Sequence, residues 1–258
     1  MRTPASEIPA PAFPRELPWV NVASLRMDKQ IGRPVLVEFW DFCRVNSLRT
    51  LPYVRAWHER YEATGLRVIG VHTGGFAVSR DEAAVRDAVA RLGIEYPVVI
   101  DSGLEIWDFY GNQGWPARYL WDARGGLFSY HYGEGAYAET EQEIQELLGI
   151  SGDLVEPVRP EDHPDALVAA QTDDVAGVFS GPYEAGAVWA VCSGTGWVSA
   201  NGRRVAVGGP GVYALIDHGA HSSGVLDLVV GDGVDCHATC FTPGVVPAGH
   251  VLDRPAGA

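Results

Sequence analysis

The hydrophobic pattern of the first half alternates between short apolar runs and longer amphipathic segments. Residues 35–40 form a continuous apolar run broken by one acid, Glu38, as in a buried parallel strand. Helical periodicity then continues to Gly65, and Pro52 inside that segment predicts a kink. Further buried strands are predicted at 66–71, 96–100 and 117–121.

Helix and turn signals complete this pattern. Ser79 or Asp81 can cap a helix that runs to about residue 92. The turn at 122–126 leads into a strand over 127–132, and residues 140–148 read as a closing helix. This order predicts an α/β fold with an open, mixed sheet and helices on both faces.

The pattern changes after Gly149. Residues 150–175 are rich in proline and acidic residues and read as a linker, whereas 176–247 alternate in the manner of short strands. Asn201-Gly202 is a strong hairpin signal, so we expect a sandwich-like all-β domain there. The predicted organisation is a Pro-rich arm at 1–18, an α/β domain at 19–149, the linker at 150–175, the β-domain at 176–247 and a C-terminal tail at 248–258.

Composition and charge limit the classes of partner and the cellular location that we expect for the protein. The chain has 258 residues with 33 acidic and 19 basic side chains, a net charge of −14 that disfavours nucleic acid and anionic membrane partners. No secretory signal or spanning run is evident, so we expect a cytoplasmic protein. Its four cysteines are then expected as reduced thiols.

Several separated motifs resemble the thioredoxin-like domains of the TlpA/DipZ branch of redoxins, over about residues 10–149. The resemblance implies a thioredoxin-like fold, and it is compatible with a DipZ-like β-sandwich after that domain. The motifs, in chain order, are EFWDFCRVNSLRTLPYVRAWHERY, VIGVHT, YPVVID, YGNQGWPARYLWD and HYGEGAYAETEQEIQELL.

The chain departs from that branch at its redox centre. The branch uses a Cys-x-x-Cys motif at the start of the first helix, and the resemblance puts Arg44 and Ser47 at those two positions. Gly74-Gly75 stands where relatives often have Pro-Glu. We therefore predict that the protein is inactive as a general dithiol reductase.

Other positions match the branch. The resemblance makes Glu38 the buried acid that accepts a proton beneath the dithiol. It also makes Trp115-Pro116 a cis-proline loop that faces the active cysteine and binds extended substrate.

Cys43 is the cysteine nearest the lost dithiol. At the start of a helix its thiol pKa should be lowered, with Asn46 and Ser47 on the same helical face. Arg44 and Arg118 are candidate cationic partners. The alternative is that Cys43 is a small packing residue.

Three further polar residues have both a structural and a functional interpretation. Glu38 in an apolar strand should have a raised pKa or a polar partner, although it could be an inherited acid without a role. His72 ends the second strand at the edge expected to hold Cys43 and could activate its thiol, but a structural histidine is more common. Asp41 is more simply the N-cap of the helix.

A metal site is disfavoured, and no cofactor is implied. Cys236 and Cys240 have a C-x-x-x-C spacing rather than the usual C-x-x-C. Strand alternation would place Cys236, Ala238 and Cys240 on one face in the core of the β-domain.

The favoured hypothesis is a one-cysteine thiol enzyme that attacks a peroxide, a disulfide or another small electrophile, with an external thiol completing turnover. The alternatives are a redox-silent binding protein and a scaffold turned to non-redox acid–base chemistry. Substrate and oligomeric state stay open. The predicted catalytic residues are Cys43, Glu38, His72 and Ser47, and the predicted substrate-binding residues are Trp115, Pro116, Arg44, Asn46, Asp41 and Arg118.

Overall fold

A computed structural model of the chain describes residues 8–247, which divide after Glu156 into two units. Residues 8–156 are called here the α/β unit and residues 157–247 the β unit. The start of the predicted N-terminal arm, at 1–7, and the predicted tail at 248–258 lie outside the described residues.

The α/β unit is built on one six-stranded mixed sheet. Its elements are β1 (Trp19–Val20), β2 (Val35–Trp40), α1 (Val45–Tyr61), β3 (Arg67–His72), α2 (Glu82–Arg91), β4 (Val98–Ile100), α3 (Glu105–Tyr110), β5 (Ala117–Trp121), β6 (Leu127–Tyr132) and α4 (Tyr137–Leu148). The strand order is β1-β4-β3-β2-β5-β6. The central strands β2, β3 and β4 are parallel, while β1, β5 and β6 run antiparallel to their neighbours.

Burial explains why β2 lies at the centre of that sheet. Every residue of β2 is buried, on both faces of the sheet, including Glu38. Val35, Val37 and Phe39 share one core cluster with residues of the neighbouring strands. A strand that is covered on both faces needs a continuous apolar sequence, and this is the pattern of residues 35–40.

The described part of the predicted arm packs against the α/β unit. The Ala10 N–H donates to the Gly125 carbonyl at 2.9 Å, and Leu127 N–H donates to the Ile8 carbonyl at 2.9 Å. Phe13 is buried and its ring lies 5.8 Å from that of Trp19. Hydrogen bonding to the edge of the 122–126 turn therefore holds this segment in place.

The β unit is organised around one strand of 20 residues. The elements of this unit are β7 (Val168–Ala169), β8 (Val175–Ala176), β9 (Gly181–Ala200), β10 (Arg203–Gly208), β11 (Gly211–Leu226), β12 (Leu228–Val230), β13 (Val234–Thr242) and β14 (Gly244–Val245). The strands β10, β11, β12 and β13 all pair with the long strand β9, in two sheets that meet along it.

Gly194 lies where β9 passes from one sheet to the other. Its φ of +86° is left-handed, and a Cβ there would lie 2.1 Å from the Gly233 carbonyl oxygen. A glycine is therefore required at this bend.

The predicted linker differs from the structure. The β unit begins at Pro157, β7 forms inside the predicted linker, and β8 begins at the last residue of that linker. β7 pairs with β14, and β8 pairs with β13. A two-residue strand carries too little periodicity to be found in a proline-rich sequence.

The predicted common face of Cys236, Ala238 and Cys240 is wrong. Cys236 pairs with Cys192 and Ala238 with Val191, so His237 is an extra residue between them. This β-bulge reverses the alternation, and Cys236 then packs in the same core cluster as Phe241.

Candidate functional site

Arg44 occupies the position where the resemblance places the first redox cysteine. It immediately precedes α1, and its guanidinium lies 4.7 Å from the ring centre of Phe76 and 4.9 Å from that of Trp115. A Cβ at position 75 would lie 2.8 Å from Nη2 of Arg44, so Gly75 leaves room for the side chain. A cation held between two aromatic rings thus stands at this position.

The Trp115–Pro116 peptide bond is cis, and hydrogen bonds fix the indole beside it. Trp115 Nε1 donates to both the carbonyl oxygen and Oγ1 of Thr73, each at 2.8 Å. The Trp107 ring packs against the Trp115 indole, with 4.3 Å between the ring centres. Trp115 is therefore a rigid, half-exposed wall beside Arg44.

Cys43 is a buried packing residue in this structure. Its exposure is 0%, and among the described residues its sulfur makes no hydrogen bond. Burial raises the pKa of the thiol well above its usual range, and the charge of Asp41 raises it further. The prediction that the helix start lowers this pKa is wrong, because desolvation outweighs the partial charges of the backbone N–H groups.

Asp41 links the segment before α1 to the loop after β3. Its Oδ1 accepts from the Cys43 N–H at 2.8 Å, and its Oδ2 accepts from Gly75 N–H at 2.8 Å and Ser79 Oγ at 3.1 Å. Burial raises its pKa, and these hydrogen bonds oppose that rise. Asp41 is not the predicted N-cap of α1, since Arg44 is in that position and makes no side-chain cap.

His72 is buried at the end of β3, as a structural residue. Its ring packs between Trp40 and Phe42, and its Nε2 accepts from Phe42 N–H at 3.4 Å. Burial lowers its pKa to about 3, so the imidazole is neutral at physiological pH. Nε2 of His72 accepts the hydrogen bond from the Phe42 N–H and lies 3.7 Å from Asp41 Oδ1. It is therefore not placed to activate the Cys43 thiol.

Ser47 and Asn46 do not assemble a polar face around Cys43. Ser47 is fully buried and its Oγ accepts from the Asp41 N–H at 3.2 Å. Asn46 is exposed. The first turn of α1 therefore supplies one internal hydrogen bond and one exposed side chain rather than donors to a thiolate.

Glu38 and Arg118 form a second buried polar group, directly opposite each other on β2 and β5. Tyr96 Oη donates to Glu38 Oε2 at 3.2 Å, while Oε1 has no partner among the described residues. Burial raises the pKa of Glu38 to about 8, against the opposing effect of Arg118. Burial also lowers the pKa of Arg118 to about 10.

The Arg118 side chain contacts other buried groups of the α/β unit rather than Cys43. Its guanidinium lies over the rings of Trp57 and Tyr137, and Nη2 donates to the Gly135 carbonyl. The charges that lower the pKa of the Cys43 thiol are those of Arg91 and of Arg44, one of the two predicted partners. The contribution of Arg91 could not be predicted from the sequence, because it depends on how α2 packs in the fold.

Limited alkylation of the folded protein is expected to label Cys236 first. Cys43 should react at least about tenfold more slowly than Cys236. Cys236 is partly exposed and its pKa is lowered, first by a hydrogen bond with Cys192, whereas Cys43 is fully buried. Peptide mass spectrometry after a short iodoacetamide pulse measures this order. The same pulse in urea should label all four thiols, and preferential labelling of Cys43 in the folded chain would restore it as a nucleophile.

The described residues contain neither a metal-binding cluster nor a helix that could span a membrane. Within 8–247, no group of three or more His, Cys, Asp or Glu side chains is close enough to hold a metal ion. No helix in the same range has the length and apolarity needed to cross a membrane.

Comparison with known proteins supports the fold. No protein-family model matches the chain. Protein DipZ of Mycobacterium tuberculosis is 39% identical over 129 residues, which is 50% of this chain and 18% of DipZ. The thiol-disulfide oxidoreductase ResA of Halalkalibacterium halodurans is 27% identical over 134 residues, covering 52% of this chain and 69% of ResA.

A solved structure agrees with these relatives. A thioredoxin-like superfamily protein aligns with a TM-score of 0.51 and 20% identity, over 56% of this chain and 99% of its own. The first half of the chain therefore has a thioredoxin-like fold of the kind found in thiol–disulfide oxidoreductases, followed by a mostly-β region, which confirms the predicted fold class. The similarity to DipZ extends over about half the chain, which spans less than a fifth of that relative.

Proposed function

We propose that the α/β unit is a redox-silent binding module that accepts an extended polypeptide segment bearing a carboxylate. The observation that carries this proposal is the Arg44 guanidinium, held between Phe76 and Trp115 beside the cis-proline loop. In the branch that the sequence resembles, this loop binds extended substrate, and a cation now stands where the nucleophile would be.

The chemistry of Arg44 favours a carboxylate as the bound group. A guanidinium presents its N–H donors in a planar fork that matches the two oxygens of a carboxylate. The Nε of Arg44 is buried and has no hydrogen-bond partner among the described residues. The flanking rings fix the plane of the fork, so little side-chain entropy is lost on binding.

The redox alternative has less support. A one-cysteine mechanism at Cys43 would require the segment between β2 and α1 to open, because the thiol is buried and its pKa is raised. Acid–base chemistry at Glu38 would require a path to a carboxyl that is 0% exposed. The alkylation order described above discriminates between the binding module and the one-cysteine enzyme.

Binding of matched peptides tests the proposal. An extended peptide with a central glutamate should bind the full chain, and Arg44→Met should weaken its affinity about ten- to a hundredfold, as expected for a charge-assisted hydrogen bond. Isothermal titration calorimetry at physiological salt measures this difference, since screening there limits repulsion by the net charge of −14.

Two controls make the result specific. Arg55→Met removes an exposed arginine from α1 and should leave the affinity unchanged. The same peptide with glutamine in place of glutamate should bind weakly and equally to wild type and Arg44→Met. Equal affinity of both peptides for both proteins would refute a carboxylate site at Arg44.

A further inference from the structure

Two cysteines of the β unit lie directly opposite each other on adjacent strands. Cys192 is on β9 and Cys236 is on β13, and the register pairs them, with Ser193 opposite Asp235 as the next pair. These strands are antiparallel. The alternating sequence of the strands does not reveal this pairing, because register is decided in the folded sheet.

The backbone spacing at such a pair suits a disulfide. Directly opposed residues in an antiparallel pair have Cα atoms about 4.5 or 5.5 Å apart, depending on the hydrogen-bonding position. Disulfides span Cα separations of about 4.4–6.8 Å. The Cys192 and Cys236 side chains also pack in the same core cluster, so both point to one face of the sheet.

We propose that Cys192 and Cys236 are a redox-active dithiol that closes to a cross-strand disulfide by exchange with the disulfide of a small thiol or of another protein. This activity is independent of the Arg44 site. It would return thiol–disulfide chemistry to a chain whose thioredoxin-like unit has lost its dithiol.

The surroundings of the two thiols indicate which of them reacts first. Cys236 is partly exposed, and its Sγ lies 3.6 Å from the Gly177 carbonyl oxygen and 3.5 Å from that of Ala238. Its pKa is lowered, first through its hydrogen bond with Cys192. Cys192 is fully buried. Cys236 is therefore the attacking thiol and Cys192 the resolving one.

The exchange balances in two steps. The Cys236 thiolate attacks one sulfur of the external disulfide RSSR, forming a mixed disulfide and releasing RS⁻, which takes up the proton lost by Cys236. Cys192 then gives up its proton and attacks Cys236 Sγ, forming the internal disulfide and releasing the second RSH. The protein loses two hydrogens and two electrons, and RSSR becomes two RSH.

Cys240 provides a matched control on the same strand. It lies opposite Trp189 on β9 rather than opposite a cysteine, and it is 6% exposed. An internal disulfide between Cys192 and Cys236 should therefore form in a Cys240→Ser variant as it does in the wild type.

Redox equilibration of the full chain tests the proposal. The reduced protein is incubated in glutathione buffers of increasing oxidised fraction, quenched with N-ethylmaleimide, and digested without reduction. Mass spectrometry should find a Cys192–Cys236 linked peptide with two hydrogens fewer than its parts, in wild type and in Cys240→Ser. Cys192→Ala should instead accumulate the mixed disulfide of glutathione on Cys236, and Cys236→Ser should form neither.

Several outcomes would overturn the proposal. Glutathione that remains on Cys236 of the wild type without a linked peptide would show that Cys192 cannot resolve it. Linkage through Cys43 or Cys240, or an inert Cys236, would also contradict the assignment. If Cys192→Ala does not fold, the wild-type map and the substitution at the partly exposed Cys236 still decide the question.

Discussion

Replacing Asp41 by alanine is expected to lower the free energy of unfolding of the α/β unit by about 3–5 kcal/mol. The carboxylate satisfies two backbone N–H groups, of Cys43 and Gly75, and the hydroxyl of Ser79. Alanine would leave the buried Cys43 N–H and the partly buried Gly75 N–H without this acceptor, and each unsatisfied group costs about 1–3 kcal/mol. The segment that carries Arg44 would lose its connection to the loop after β3.

Denaturant-dependent amide hydrogen exchange of β2 measures this loss, because it reports on the α/β unit separately from the β unit. Asp81→Ala is the matched control, since Asp81 is exposed and its side chain makes no capping hydrogen bond at α2. A loss below about 1 kcal/mol for Asp41→Ala would mean that water replaces the carboxylate at these donors.

The stability of the α/β unit is expected to fall as the pH rises from about 4.5 to about 8, because of Glu38. The folded protein keeps the Glu38 proton up to a pKa of about 8, whereas the ordinary pKa of a glutamate, as in the unfolded chain, is 4.5. Between those values the unfolded state binds fewer protons, so stability is fully present below the lower pKa and decreases toward the higher one. At about 1.4 kcal/mol for each pH unit, the decrease amounts to about 3–5 kcal/mol.

Glu38→Gln isolates this effect, because glutamine resembles the protonated acid and does not titrate. The difference in unfolding free energy between variant and wild type should grow in favour of the variant from pH 4.5 to pH 8. Glu59→Gln makes the same change at an exposed position and serves as the control. A difference that stays constant over this range would mean that Glu38 is already ionised in the folded protein.

The sequence located the main elements of the α/β unit because their periodicities are long. The predicted strands over 117–121 and 127–132 have the observed bounds, and the central run over 35–40 is β2. β1 and α3 were missed, since two and six residues carry no readable period. The closing helix begins three residues earlier than predicted, at Tyr137.

The pKa values and exposure of the candidate-site residues were harder to predict from the sequence, because they depend on burial and strand register. A charged residue in an apolar strand predicted the raised pKa of Glu38 without further information. The position of Cys43 at a helix start suggested activation, but packing by neighbouring segments removed it from water. The pairing of Cys192 with Cys236 depends on the register of β13, which a bulge at His237 changes.

The strand β9 connects the two larger sheets of the β unit, so we expect the stability of one sheet to depend on the other. Both of its larger sheets contain β9, and β10, β11, β12 and β13 each pair with it directly. Residues 181–194 of β9 pair with β11 and β13, whereas residues 195–200 pair with β10 and β12, so the two sheets are joined by the continuous backbone through Gly194. A change in backbone conformation at Gly194 is therefore expected to disturb the pairing of β9 in both sheets.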